Sequence, residues 1–142
     1  TKLISEDNIL INPNCITKEE VLDQMVATVI NNGIVKGQFL LDVYKRDAMG
    51  PAVVEGIAIP HGRPENVIRP AIGVAIFKDP IYWWDKMMVD CVFMLALNED
   101  SKETIRKLYG LIKDKEFINK LKNCGNANAV RNSIIEYFLF SN

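Results

Sequence analysis

Gly56-Ile57-Ala58-Ile59-Pro60-His61-Gly62 is a short apolar, strand-like run that breaks on a proline and then presents the only histidine in the chain. Proline biases Ile59 toward an extended backbone, and Gly62 lets a partner or a phosphate approach the main chain closely. Imidazole is both a good nucleophile and a tolerable leaving group near neutral pH, because its unperturbed pKa is about 6.5. A phosphoryl group can therefore be taken up by such a residue and handed on. A single histidine in a turn is also commonly structural, so the rest of the chain has to decide what this one is for.

Outward from this run the sequence alternates helical and strand-like patterns. Upstream, Thr17-x-x-Glu20 is a capping-box pattern, and Val21, Leu22, Met25, Val26, Val29 and Ile30 then share one helical face until Gly33 offers a stop. A second helix is expected from Gln38 to Met49, with Phe39, Leu40, Val43 and Tyr44 inward, Arg46 in the last turn and Gly50-Pro51 ending it. Downstream, Ala71 to Phe77 and Val89 to Leu97 are apolar runs bounded by turn residues, the pattern of central strands in a covered sheet. Ser101 is placed to cap a helix through about Ile112, Asp114 a short one through Leu121, and Asn126 or Asn128 a last one ending near Phe138. The expected fold is α/β: a mixed β-sheet sandwiched between α-helices, with residues 1–142 forming a single domain.

Composition narrows the function classes. With 142 residues, 49% of them hydrophobic and 25% charged, the chain is large enough for one proper core. A formal net charge of -1 leaves no electrostatic reason for this domain to bind nucleic acid, and no apolar stretch is long enough to embed it in a membrane. Cys15, Cys91 and Cys124 are odd in number and far apart, which suits neither a disulfide framework nor a metal or redox pair. Together with the lack of a secretory signal, this predicts a cytoplasmic location. The sequence holds no Walker loop, no Gly-x-Ser-x-Gly elbow and no metal-binding histidine pair, so neither a metal nor an organic cofactor is expected. Trp83 and Trp84 would suit carbohydrate stacking, but the flanking strand ends assign at least one of them to the core, and Met87-Met88 likewise reads as packing.

The segment around His61 resembles the active-site signature of the fructose/mannitol-type enzyme IIA domains of the bacterial phosphoenolpyruvate-dependent sugar phosphotransferase system. Arg46-Asp47 looks like that family's Arg-Glu pair, and Pro80-Ile81 followed by Val89-Asp90-Cys91-Val92-Phe93-Met94-Leu95-Ala96-Leu97 looks like its later strands. The resemblance runs from about Ile4 to Tyr137. It implies a phosphocarrier in which His61 accepts phosphate from HPr and passes it to a IIB component, without touching the sugar. It also makes Arg46 the electrostatic partner of the phosphorylated histidine, since a guanidinium offers a planar fork to phosphate oxygens. Without that resemblance Arg46 reads as a cation suited to a helix's last turn.

Gly62, Arg63 and Thr104 are the further phosphate-contact candidates. Arg63 and Arg69 fit a solvated basic rim equally well, and Glu55 reads as a solvent-facing turn carboxylate. Thr104 marks a departure, because Thr104-Ile105-Arg106-Lys107-Leu108 occupies the His-aliphatic-x-x-aliphatic pattern where many family members carry a second active-site histidine. A hydroxyl donates a hydrogen bond but carries no charge. The alternative function that follows is a regulatory copy of the domain, of the kind appended to transcription antiterminators and activators.

Overall fold

In the computed structural model, residues 3–140 are described. The strands β1 (Ile9–Ile11), β2 (Val53–Val54), β3 (Ile57–Ala58), β4 (Ala71–Trp84) and β5 (Met87–Ala96) form one sheet in the order β1-β4-β5-β3-β2. β1 runs parallel to β4 and β3 parallel to β5, whereas β4–β5 and β2–β3 are antiparallel. The helices are α1 (Lys18–Asn31), α2 (Phe39–Ala48), α3 (Lys102–Lys113), α4 (Lys115–Lys122) and α5 (Ala127–Phe140).

Strand alternation divides the core between the two sheet faces. Cys91, Phe93 and Leu95 join Ile72, Val74 and Ile76 on the face covered by Leu108, Leu111, Leu121, Val130 and Ile134 of α3, α4 and α5. Val92, Met94 and Ala96 meet Val21, Leu22, Met25, Phe39 and Val43 of α1 and α2 on the other. The first residues of β4 on this second face are small, and Phe77, Ile81 and Trp83 follow further along it. Ala71, Gly73 and Ala75 let α1 settle close, and a Cβ on Gly73 would lie 3.5 Å from Met25 Cε. The sheet between helices is thus the fold expected from sequence.

Local signals correspond closely to the elements. Thr17 and Glu20 form a reciprocal capping box at the start of α1. Asp114 Oδ1 accepts from Phe117 N at 3.0 Å, and Asn126, not Asn128, caps α5 by accepting from Ala129 N at 2.8 Å. Ser101 stands at the N-terminus of α3 as expected, yet its side chain makes no capping hydrogen bond.

Two features depart from the sequence reading. β4 does not end at Phe77: it continues through Pro80 to Trp84, with a register shift between Ile76 and Ile81 that accommodates a residue without an N–H. The β4–β5 turn is Asp85-Lys86, with φ of 36° and 67°, so a hairpin forms where no Asn-Gly or Gly-Gly marks it. Trp83 is buried at its base and Trp84 is exposed. The second feature is the short hairpin β2–β3, turned by Glu55 (φ 48°) and Gly56 (φ 84°). No described helix is long and apolar enough to cross a membrane.

Candidate active site

β3 is only two residues long, but the chain keeps its course beyond it. Ile59 N donates to Ala52 O at 2.8 Å, and Pro60, which lacks an N–H, contributes its carbonyl to Leu95 N at 2.9 Å. His61 then pairs with Leu95 as a single parallel bridge. The imidazole is thereby carried to the C-terminal end of the seam between the parallel strands β3 and β5. There it borders a cavity of about 230 Å3 lined also by Gly62, Pro64, Leu95, Leu97, Asn98, Ile105 and Tyr109.

His61 Nδ1 lies 3.2 Å from Ile59 O. A carbonyl oxygen only accepts, so this contact assigns the proton of the neutral ring to Nδ1 and leaves the lone pair on Nε2. One ring nitrogen is held by the backbone two residues upstream, and the other is available as a nucleophile.

Behind His61, α2 fixes the loop. An added Cβ at Gly62 would lie 2.6 Å from Cε1 of the fully buried Phe39, so only glycine fits where the loop crosses the start of this helix. One turn on, Asp42 Oδ2 accepts from Asn66 Nδ2 at 2.5 Å and from Arg63 N at 3.3 Å. Asp42 tethers the segment after His61 to α2, and no sequence motif had singled it out.

The remaining candidates are placed less directly. Arg46 is half-buried in the last turn of α2 and donates from Nη1 to Gly50 O at 2.6 Å. Its neighbour Asp47 turns the other way and pairs with Lys18 at 2.6 Å, and the Lys18 ammonium in turn stands 5.4 Å from the ring centroid of Trp84. Arg63 reaches into solvent and pairs with Glu65 at 2.7 Å, while Arg69 donates to Asn32 O at 3.2 Å, at the C-terminal end of α1. Thr104 is half-buried in the first turn of α3, and it is the next residue, Ile105, that lines the cavity. Arg46, Arg63 and Thr104 do not line the cavity, whereas Gly62 does. Asn98 and Tyr109 line it without having been candidates, because neither belongs to a motif.

The three cysteines are free, and complete burial pushes the Cys91 thiol up to about 12, which keeps it protonated and inert.

Residues 2–137 match the family model for the EIIA 2 domain of the phosphoenolpyruvate-dependent sugar phosphotransferase system. The chain belongs to that family. This EIIA domain is 32% identical over 103 residues to the 2-O-α-mannosyl-D-glycerate-specific EIIABC component of Escherichia coli (strain K12), a match that covers 68% of the chain and 16% of the relative. It is 26% identical over 107 residues to the transcriptional regulator ManR of Bacillus subtilis (strain 168), covering 72% of the chain and again 16% of the relative. The EIIA chain thus spans only a small part of the length of either protein. Among solved structures, the complex of enzyme IIA and phosphorylated enzyme IIB for mannitol from Escherichia coli matches with a TM-score of 0.82 at 17% identity, over 94% of this chain and 99% of that one. At that identity the likeness concerns the fold.

Proposed function

We propose that this EIIA domain is a phosphocarrier: His61 accepts a phosphoryl group from phospho-HPr and passes it to a IIB component for sugar uptake. The observation that carries the reading is the Nδ1 contact with Ile59 O, which leaves Nε2 as the nucleophile of the only histidine in an EIIA family member. The Nε2 lone pair attacks phosphorus in line, a new N–P bond forms, and the N–P bond on the carrier histidine breaks with its electron pair returning to the carrier ring. The modified ring keeps its Nδ1 proton and becomes cationic, and the Ile59 carbonyl stabilises that charge. The second transfer reverses these roles with the IIB nucleophile as acceptor. Positioning and charge stabilisation are the protein's whole contribution.

Arg46 supplies positive charge to the phosphoryl oxygens. A guanidinium has five donors, and the contact with Gly50 O uses one of its N–H groups. Gly62 permits close approach of the phosphate to the chain, and Arg63 and Thr104 are contacts at its margin. The exposed Arg63–Glu65 pair stabilises by at most about 1 kcal/mol, so Arg63 readily exchanges Glu65 for phosphate. Transfer takes place in the cytoplasm.

Incubation with phosphoenolpyruvate, enzyme I and HPr is expected to place one acid-labile, base-stable phosphate on the protein, and His61→Ala to abolish it. Labelling that persists in the variant would put the acceptor elsewhere and end the reading. A regulatory role is the second reading, favoured by the similarity to ManR and by Thr104 at the position of the second histidine. There, phosphorylation would bias a neighbouring domain by adding about -1.5 to -2 charge. A reading frame that continues into DNA- or RNA-binding domains would decide for it.

A further inference from the structure

Apart from His61, the side chains that line the cavity and carry hydrogen-bond donors are Asn98 and Tyr109, while Pro64, Leu95, Leu97 and Ile105 are apolar. A phosphoryl group entering this space would lose water on its apolar side, and each of its oxygens left without a donor would be costly. The orientation of Asn98 is therefore informative.

Asn98 Oδ1 accepts from Asp100 N at 3.1 Å and from Ser101 Oγ at 3.1 Å. A backbone N–H can only donate, so the amide oxygen must face the turn and Nδ2 must point away from it. Ser101 completes the lock: its Oγ accepts from Asn98 N at 3.3 Å, and its own N–H donates to Asn98 O at 3.2 Å. Ser101 is only 5% exposed, so its hydroxyl bonds to Asn98 are partly shielded from water. This arrangement also explains why Ser101 does not cap α3, since its hydroxyl is committed to Asn98 instead. Nδ2 itself has no hydrogen-bond partner among the described residues. The result is a pre-oriented, uncommitted, uncharged donor beside the one nucleophile.

Resting on the assignment of His61 as phosphoryl acceptor, we propose that Asn98 Nδ2 donates to an oxygen of the phosphoryl group on His61, and that Ser101 is the positioning residue that holds the amide in this sense. Asn98 makes and breaks no covalent bond. It offers phosphate a donor that needs no reorganisation when the group arrives.

The test uses the full chain, phosphorylated through enzyme I and HPr, with 15N labelling. In the wild-type protein the side-chain amide signals of Asn98 are expected to shift on phosphorylation of His61, a response a purely structural turn residue would not give. Asn98→Asp preserves the shape and the acceptor toward Asp100 but sets a carboxylate where the donor was, so phosphorylation should slow by roughly ten- to a hundredfold. Asn98→Ala should slow it less, and Ser101→Ala less again. If His61 is labelled while the Asn98 amide stays still and both Asn98 variants phosphorylate at the wild-type rate, the proposal is overturned and the acceptor assignment survives. If the wild-type protein takes up no phosphate, the acceptor assignment itself falls and this proposal falls with it.

Discussion

The two ends of the seam between β3 and β5 carry two contrasting cavities. At the N-terminal end, beside Ile57, lies a space of about 430 Å3 bordered by Glu55, Lys115, Asn119 and Lys122. At the C-terminal end lies the smaller one, of about 230 Å3, at His61. The larger is the more charged, but its charges are already spoken for: Lys122 stands 2.9 Å from Asp90 Oδ1, and Lys115 stands 3.8 Å from Glu55. Lys122 meets the buried Asp90 Oδ1 as an ion pair, and that oxygen has no hydrogen-bond partner among the described residues. At the His61 end the wall is mostly apolar, with a ring nitrogen and an amide nitrogen left uncommitted. The proposed transfer chemistry falls at the end where polar atoms lack partners beside apolar surface, and not at the larger cavity.

Three substitutions would break or sharpen this contrast. The largest effect beyond loss of His61 is expected from Gly62→Ala. Its Cβ would meet the ring of Phe39, which has no room to give, and overpacking of this kind costs about 1–3 kcal/mol. Both the melting temperature and the phosphorylation rate should fall together; an unchanged melting temperature would mean that the loop behind His61 is softer than its packing indicates.

Arg46→Lys comes next. Lysine keeps the charge but not the planar fork, so phosphorylation should slow about tenfold with little change in thermal stability. Wild-type rates would return Arg46 to the role its Gly50 contact shows, a cation closing the end of α2.

The smallest effect on transfer is expected at the far end. Lys122→Ala should lower stability by about 1–3 kcal/mol, because it leaves the buried Asp90 Oδ1 without its ion-pair partner, and it should leave phosphoryl transfer unaltered. A slower transfer rate in this variant would show that the two ends communicate through β5, and the contrast drawn between them would have to be abandoned.

The sequence by itself determined the elements whose signals are local. Thr17 and Glu20 are three residues apart, Asp114 and Phe117 likewise, and such caps are complete within one helical turn. The apolar runs of β4 and β5 announced central strands, and the segment around His61 announced the family. Where the chain lacked a local signal, the reading stopped short. Asp85-Lys86 contains no glycine, so the β4–β5 hairpin was missed, and Pro80 disguised the continuation of β4.

The surroundings of His61 were decided only in three dimensions. Asn98 and Tyr109 reach the cavity because β3 lies parallel beside β5, which brings residue 61 against residue 95 and the start of α3 across from both. Gly62 had to be glycine because Phe39, far upstream, occupies the space of a side chain. Ser101 had the right residue type and position for a cap, yet bonds to Asn98 within its own turn, since a hydroxyl accepts whichever donor the folded backbone brings nearest. Periodicity and capping are written within a few residues and can be read along the chain. Strand order brings together residues that no short-range pattern connects, so the walls of the site follow from tertiary packing.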